Sequence, residues 1–143
     1  MKKVSIILLS LALLFAVAGC GRQAPEVKID YGTSSIYTEK DMKAAIDVIM
    51  KEFESWRECE LHSISYALDE VCNDQNLARM IVLDMDKSRA VYLTQCILFL
   101  IDFHTAKEVT GSFNPDQEYT DYHWWLARTN DGEWKTIQRA CGY

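Results

Sequence analysis

The sequence predicts an α+β domain, and three features carry that prediction. Residues 42–56 repeat apolar side chains at spacings of three and four, the periodicity of an amphipathic helix. Residues 95–103 are apolar on both alternating faces, which is typical of a strand covered on both sides. Residues 119–129 and 133–140 are rich in aromatic and β-branched side chains and predict a pair of strands. One early helix followed mainly by antiparallel strands is an α+β arrangement.

The first 19 residues have the pattern of a secretory signal peptide. Two lysines precede an apolar run over residues 4–17, and the small residues Ala18 and Gly19 follow it. The run is shorter than the roughly 20 residues that a helix needs to span a bilayer, so a transmembrane anchor is the weaker interpretation. We therefore expect residues 1–19 to be removed on export.

Cys20 follows that boundary, and the segment resembles the signal of bacterial lipoproteins, whose cysteine receives a diacylglyceryl group. The resemblance implies that lipid on Cys20 holds the protein on the extracytoplasmic face of the cell membrane. Two acyl chains, at about 0.8 kcal/mol per buried CH₂, anchor stably where one chain is marginal. The alternative is an ordinary signal peptide followed by a chance cysteine.

The charge balance of the remaining chain argues against nucleic-acid binding. Removal of residues 1–19 takes away two of the 15 basic residues and none of the 21 acidic ones, which leaves 124 residues with a side-chain charge of −8. No basic cluster remains to neutralise a phosphate backbone. The length predicts one domain that is large enough for a hydrophobic core.

Four cysteines remain beyond Cys20, namely Cys59, Cys72, Cys96 and Cys141. Export permits disulfides, and four cysteines allow three pairings among which the sequence does not choose. Their spacing matches no paired zinc-ligand pattern. A cysteine in an apolar strand is also often a small hydrophobic residue and nothing more.

Residues 20–36 are predicted to be the lipidated cysteine followed by a flexible tether. Proline, glycine and serine recur in this segment, and we find no periodicity in it. The folded domain is then expected to span residues 37–143.

The predicted helix has a recognisable beginning at Thr38. Thr38 and Asp41 form a T-x-x-D variant of the capping box, and Tyr37 and Met42 occupy the positions of a hydrophobic staple. The apolar stripe, which we interpret as core, consists of Met42, Ala45, Ile46, Ile49, Met50, Phe53 and Trp56.

The middle of the chain is predicted less uniformly. Residues 59–66 read as a short strand and residues 69–82 as a helix, whereas residues 83–94 are ambiguous. The inward positions expected on that helix are Val71, Leu77, Met80 and Ile81. Residues 105–117 hold glycine, asparagine and proline and predict a loop. The sequence Asn-Asp-Gly at residues 130–132 predicts a hairpin between the last two strands.

The chain from residue 37 onward resembles an uncharacterised family of secreted lipoproteins from Gram-positive anaerobes. The matching pieces are Tyr37-Thr38-Glu39, Cys96-Ile97-Leu98-Phe99-Leu100, Asp102-Phe103-His104, Asn114-Pro115-Asp116, Glu118-Tyr119-Thr120, Trp124-Trp125-Leu126-Ala127-Arg128-Thr129, Gly132-Glu133-Trp134 and Gly142-Tyr143. The family looks like a member of the cone-shaped nuclear-transport-factor-2-like fold. The resemblance therefore implies an N-terminal helix packed in a curved antiparallel sheet, and it implies no activity.

Five residues are the candidates for a pocket on the sheet. Asp102 and His104 lie two positions apart, hence on one face of a strand, where a carboxylate can orient an imidazole for general-base work. Tyr119, His123 and Trp125 alternate along the next strand and mix aromatic with polar groups. Each of these residues is also compatible with an ordinary structural role.

Two classes of function follow, and a third is structural. We expect a non-enzymatic binding or interaction module, without cofactor, whose partner is a small ligand or a protein. The rival hypothesis is an enzyme that uses Asp102, His104 or His123 as acid or base in the cavity of the cone, which rests on analogy between folds. A structural accessory protein is the third possibility. Asp84 and Asp86 lack the glycine and the distal glutamate of a calcium loop, so we expect no metal.

Overall fold

The computed structural model describes residues 25–84 and 92–142, so the predicted signal peptide and Cys20 lie outside the described residues. The described chain is an α+β domain with a five-stranded mixed sheet, as expected in class. Its elements are β1 (Lys28–Asp30), α1 (Glu39–Phe53), β2 (Cys59–Tyr66), a 3₁₀ turn (Asp69–Val71), α2 (Asp74–Leu83), β3 (Gln95–Thr105), β4 (Glu118–Arg128) and β5 (Lys135–Ala140). Within the described ranges, no helix has the length and apolar character required to cross a membrane.

Helix α1 begins as the sequence predicts. The backbone N–H of Asp41 donates to the Thr38 hydroxyl at 3.2 Å, and the N–H of Thr38 donates to the Asp41 carboxylate at 3.0 Å. These two bonds complete the capping box and satisfy two backbone donors at the helix start. The apolar stripe of α1 packs against one face of the sheet, called the inner face below. Met50 is the exception, because it is exposed.

Strand β3 is the centre of the sheet, and its first half is covered on both sides. Ile97, Phe99 and Ile101 point into the inner core beneath α1, whereas Cys96 and Leu98 point to the outer face. The sheet order is β1-β2-β3-β4-β5, and the pairs from β2 to β5 are antiparallel. The prediction of a central strand covered on both sides is confirmed for that half.

Helix α2 covers part of the outer face, but it begins later than predicted. The expected helix over residues 69–82 is interrupted at Asn73, which has an extended backbone. The Asn73 side chain accepts a hydrogen bond from the N–H of Asn76, so Asn73 is the N-cap of α2. Leu77 and Met80 pack toward the sheet, as predicted. Ile81 was predicted to be buried, and this was wrong, because its side chain is 47 % exposed on the solvent side of α2.

The segment predicted as a flexible tether contains strand β1, so the folded domain begins before residue 37. Strand β1 pairs in parallel with β2, and Ile29 lies opposite Ile64. Val27, Ile29 and Tyr31 pack on the inner core while the residues between them are exposed. This alternation with a period of two was missed, and it makes the sheet mixed rather than wholly antiparallel.

Irregular positions bend the sheet in three places. The registers of the β2–β3, β3–β4 and β4–β5 pairs each shift once along their length. Such bulges increase the local twist and bend a strand. The β4–β5 turn has positive φ at Asn130 and Asp131, which identifies the type I′ turn that the Asn-Asp-Gly sequence favours. The N–H of Gly132 closes this turn on the Thr129 carbonyl at 2.7 Å.

Candidate functional site

The outer face of the sheet is only half covered. Helix α2 packs over the part formed by residues such as Leu98 and Trp125. Alternation along β3 and β4 places Asp102, His104 and His123 on the uncovered part of the same face. These three predicted site residues therefore share an open surface.

Asp102 joins the irregular stretches of its two neighbouring strands. Its Oδ2 accepts a hydrogen bond from the Ser63 hydroxyl of β2 at 2.9 Å, and its Oδ1 accepts one from the backbone N–H of Asp121 in β4 at 2.9 Å. Asp121 has φ of 52° within the bulge of β4, a left-handed conformation that needs support. Because both carboxylate oxygens are engaged, the geometry supports a structural role for Asp102.

His104 and His62 flank one shared carboxylate. Glu118 places Oε1 at 2.9 Å from Nδ1 of His62 and Oε2 at 3.1 Å from Nδ1 of His104. The two rings are nearly parallel, with centroids 6.5 Å apart. His62 and Glu118 were not predicted as site residues, because only the register of three strands brings positions so distant in sequence together.

Two further carboxylates complete this surface cluster. Glu60 lies 3.3 Å from Nε2 of His62, and Asp116 lies 3.1 Å from Nε2 of His104. The hydrogen bond to Asp116, reinforced by Glu118, raises the pKa of His104 above its usual value. All five side chains are more than a third exposed, so these pairs contribute little stability. Among the described residues, no group of three or more such side chains is arranged to hold a metal ion.

The remaining predicted pocket residues are separated by the sheet. Tyr119 lies on the inner face, where its ring stacks on Phe103 with centroids 4.9 Å apart. Trp125 is buried beneath α2, and the guanidinium of Arg79 lies 5.4 Å from its ring centroid. The five predicted residues consequently do not converge on one pocket.

The space between α1 and the inner face is filled by aromatic rings. The ring of Phe53 lies 5.8 Å from that of Phe103 and 6.5 Å from that of Trp124, measured between centroids. Phe99, Phe103 and Trp124 are fully buried. Among the described residues, the buried polar or charged side chains are those of Thr105 and Arg128, so no histidine, aspartate or glutamate is buried in this core.

An open cleft of about 610 Å³ lies where this aromatic layer ends, beside the C-terminus of α1. It is lined by residues 55–59 of the turn after α1, by residues 109–113 of the loop between β3 and β4, and by Tyr122 and Arg139. Three further clefts of the domain are smaller, at about 190, 270 and 440 Å³. None of the five predicted pocket residues lines the 610 Å³ cleft.

The floor of the cleft is aromatic. Trp56 is half-buried, and its ring centroid lies 5.3 Å from that of Phe113 and 6.1 Å from that of Tyr122. The sequence placed Trp56 at the end of the helix stripe, but α1 ends at Phe53 and Trp56 lies in the following turn. The apolar stripe in the sequence therefore extends beyond the end of α1, and its last residue, Trp56, belongs to the floor of the cleft.

One wall of the cleft is held in place by Glu58. Its carboxylate accepts hydrogen bonds from the N–H and hydroxyl of Thr110, at 2.7 and 3.0 Å. Its backbone carbonyl accepts a bond from the N–H of Ala106 at 2.7 Å. The loop that carries Gly111 and Phe113 is thus fixed at the turn after α1, which favours a preformed cleft.

Two arginines and a thiol complete the lining. The guanidinium of Arg139 lies 5.6 Å from the ring centroid of Trp56, and its N–H group is 3.6 Å from Glu52. Arg57 also lines the cleft, is exposed, and forms no hydrogen bond or ion pair with a described residue. Burial, with a contribution from Glu58, raises the pKa of Cys59, which keeps this thiol protonated and a poor nucleophile. His62, His104 and His123 all lie outside this lining.

The described chain is a small α+β domain whose 610 Å³ cleft combines an aromatic floor with two arginines. Searches against protein-family models, curated proteins and solved structures find no match to this chain.

Proposed function

We propose that this protein is an extracytoplasmic lipoprotein, anchored to the cell membrane through Cys20, whose folded domain binds a small ligand in the cleft beside Trp56. The anchor is supported by the sequence pattern of residues 1–20. The binding role is supported by one observation: an open cleft with a partly buried aromatic floor lies at the end of an otherwise filled core.

The domain is further proposed to be a shallow form of the nuclear-transport-factor-2-like cone. Bulges in successive strand pairs supply the bending that such a curved sheet needs. Helix α1 lies along the inner face of that bend. The interior of the proposed cone is occupied by Phe and Trp side chains, so the ligand site is its mouth.

An enzyme built on Asp102 and His104 is less well supported. The oxygens of Asp102 are engaged by Ser63 and Asp121, and His104 lies on an open surface, where water is not excluded. The catalytic alternative would gain ground if the purified protein turned over a substrate and lost this activity in the His104→Gln variant.

Fluorine NMR of the full chain labelled with 5-fluorotryptophan tests the binding role. The chain has four tryptophans, and a Trp56→Phe variant assigns the cleft resonance. We expect flat apolar fragments, added one at a time at about 1 mM, a range typical of weak fragment binding, to move the Trp56 resonance. The resonance of Trp125, buried beneath α2, is the internal control and should stay in place. A library that moves no resonance, or moves both equally, contradicts the cleft as a ligand site.

The anchor is tested separately by Cys20→Ala. The variant lacks the thiol that acylation requires, so it should leave the membrane fraction or accumulate as an uncleaved precursor. Recovery of the variant in membranes at the mass of the mature wild type would refute the lipoprotein assignment.

A further inference from the structure

The cleft beside Trp56 has a charge opposite to that of the chain around it. The predicted mature chain carries a side-chain charge of −8. The lining of the cleft nevertheless holds two arginines, Arg57 and Arg139, and a single acidic residue, Glu58. This gives the lining a charge of +1. Field lines focus in a cleft, so an anion is attracted there although the molecule as a whole repels it.

The acidic residue of the cleft, Glu58, already has hydrogen-bond partners within the domain. Glu58 accepts both hydrogen bonds from Thr110, and its carboxylate holds the loop in place. It does not neutralise Arg57, since no ion pair joins the two. The positive charge at this rim is therefore available to a ligand.

The guanidinium of Arg139 is held in position, but its hydrogen-bond donors are not all used. Its guanidinium lies 5.6 Å from the ring centroid of Trp56 and 5.3 Å from that of Trp124, which restrains its plane against the rings. Its contact with Glu52, at 3.6 Å, is longer than a hydrogen bond, and the side chain is 40 % exposed. Most of its five N–H donors consequently remain free to meet an acceptor in the cleft.

The same cleft supplies an apolar surface of matching size. Rings of Trp56, Phe113 and Tyr122 form the floor of the cleft that the two arginines also line. A volume of about 610 Å³ accommodates one or two fused rings with a short side chain. A guanidinium fork pairs with a planar carboxylate through two parallel hydrogen bonds.

We propose, on the basis of the binding role above, that the ligand of this cleft is a flat apolar or aromatic molecule that carries a single carboxylate. The ring system stacks on Trp56, and the carboxylate is bound by Arg139 and Arg57. Because Glu52 already lies 3.6 Å from Arg139, the cleft has no surplus positive charge for a second anionic group, which favours a monoanion.

Paired ligands that differ only in charge test this proposal. Indole-3-acetate and indole-3-acetamide are titrated into the labelled full chain, with the Trp56 resonance and calorimetry as readouts. We expect the acid to bind about tenfold more tightly than the amide, the effect of one charge-assisted hydrogen bond. Added salt should weaken the acid more than the amide.

Variants locate the effect at the two arginines. Arg57→Met and Arg139→Met should each reduce the affinity for the acid toward that for the amide. Lys107→Met is the matched control, because it removes one positive charge from the loop between β3 and β4 at a position outside the lining. It should leave the preference for the acid unchanged. An unaltered Trp125 resonance verifies the fold of each variant. If Arg139→Met fails to fold, the affinity of Arg57→Met for the acid tests the anion site, because Arg57 is exposed and its loss should not unfold the domain.

The possible failures are distinguishable. Equal binding of acid and amide at Trp56 overturns the carboxylate class and leaves the binding role intact. Absence of binding by both, in a chain that other fragments do bind, again overturns only the class. A preference for the acid that survives both arginine variants overturns the assignment of the anion site.

Discussion

The two ends of helix α1 each face an arginine that lies over a tryptophan ring, and only one of these arginines is enclosed. At the N-terminal end, Arg128 is 6 % exposed, lies 4.3 Å from the ring centroid of Trp134 and pairs with Asp41 at 2.9 Å. At the C-terminal end, Arg139 is 40 % exposed and lies 5.6 Å from the ring centroid of Trp56. Named by the exposure of their arginines, these are the closed end and the open end of α1, although a cleft of about 440 Å³ also lies beside Arg128 and Trp134.

The difference between the two ends lies in the number of partners. Nε of Arg128 also donates to Gln95 at 2.6 Å, and its guanidinium reaches Asp131 at 3.2 Å. The indole N–H of Trp134 donates to the Asp41 carbonyl at 3.0 Å, which ties the hairpin to the first turn of α1. Apart from the rings of Trp56 and Trp124, the partner of Arg139 among the described residues is Glu52, at 3.6 Å. A buried arginine with three polar partners stabilises the fold, whereas one with spare donors beside a cleft is suited to a ligand.

The largest effect is expected beneath the open end. Phe53 packs between Phe103, Trp124 and the cleft floor at Trp56. Phe53→Ala should lower the free energy of unfolding by roughly 3–5 kcal/mol, the usual cost of truncating a large core side chain. Denaturant melts of the full chain measure it. A change below about 1 kcal/mol would show that the floor of the cleft is loosely packed, and the comparison of the two ends would have to be revised.

Next in size is the loss of the enclosed arginine. Arg128→Met leaves the apolar stem in place and removes its three polar contacts, with Asp41, Asp131 and Gln95. We expect a cost of about 3 kcal/mol, near the lower end for breaking a buried ion pair because Asp41 remains a quarter exposed. Urea denaturation followed by tryptophan fluorescence measures this value. A cost under 1 kcal/mol would remove the distinction between the closed and the open end.

The closed end could be predicted in part from the sequence, and the open end could not. Local patterns specified α1, because Thr38 and Asp41 form a capping box whose geometry depends on neighbours in the chain. The turn at residues 130–132 is equally local. In contrast, Arg139 meets Trp56 only after β5 has joined the sheet, and no spacing in the sequence encodes that contact.

The predicted pocket illustrates the same limit. Asp102 and His104 were correctly placed on one strand, but their partners Ser63, Asp121 and Glu118 come from two other strands. Bulges in those strands shift the register by one residue, which changes the side chains that meet. A bulge leaves little mark on composition or periodicity, so the sequence does not predict that these residues meet.

A smaller effect, dependent on pH, is expected from Asp41 at the closed end. Hydrogen bonds from Thr38, and then the pairing with Arg128, lower the pKa of Asp41 below its usual value of 3.8. A carboxylate with a lowered folded-state pKa contributes stability above its unfolded pKa and loses it as the pH falls through the folded value. The stability gap between wild type and Asp41→Asn should therefore be full at pH 7 and narrow below about pH 4.

The control for this pH dependence lies on the same helix. Asp47 forms an exposed pair with Lys43, and Asp47→Asn should show a small gap at every pH. Unfolding free energies from urea melts at pH 3 to 7 supply the comparison. A gap for Asp41→Asn that stays constant down to pH 3 would show that its carboxylate adds nothing to the closed end.

The smallest effect is expected at Arg139, and it bears most directly on the difference between the two ends. The side chain has no hydrogen bond within the described part of the chain, and its contacts are with the rings of Trp56 and Trp124 and, at 3.6 Å, with the half-exposed Glu52, a pair that adds little stability. Cation–π contacts at exposed sites contribute about 0.5–1 kcal/mol, so Arg139→Met, which keeps much of the apolar stem, should destabilise the domain by no more than that. The measurement is a urea melt alongside Arg128→Met, so that both arginines lose the same atoms under the same conditions. Equal costs for the two variants would mean that Arg139 also serves the fold. A cost several times smaller leaves its guanidinium as a group that the folded domain holds in position but does not need for stability, which is the property that the proposed carboxylate site requires.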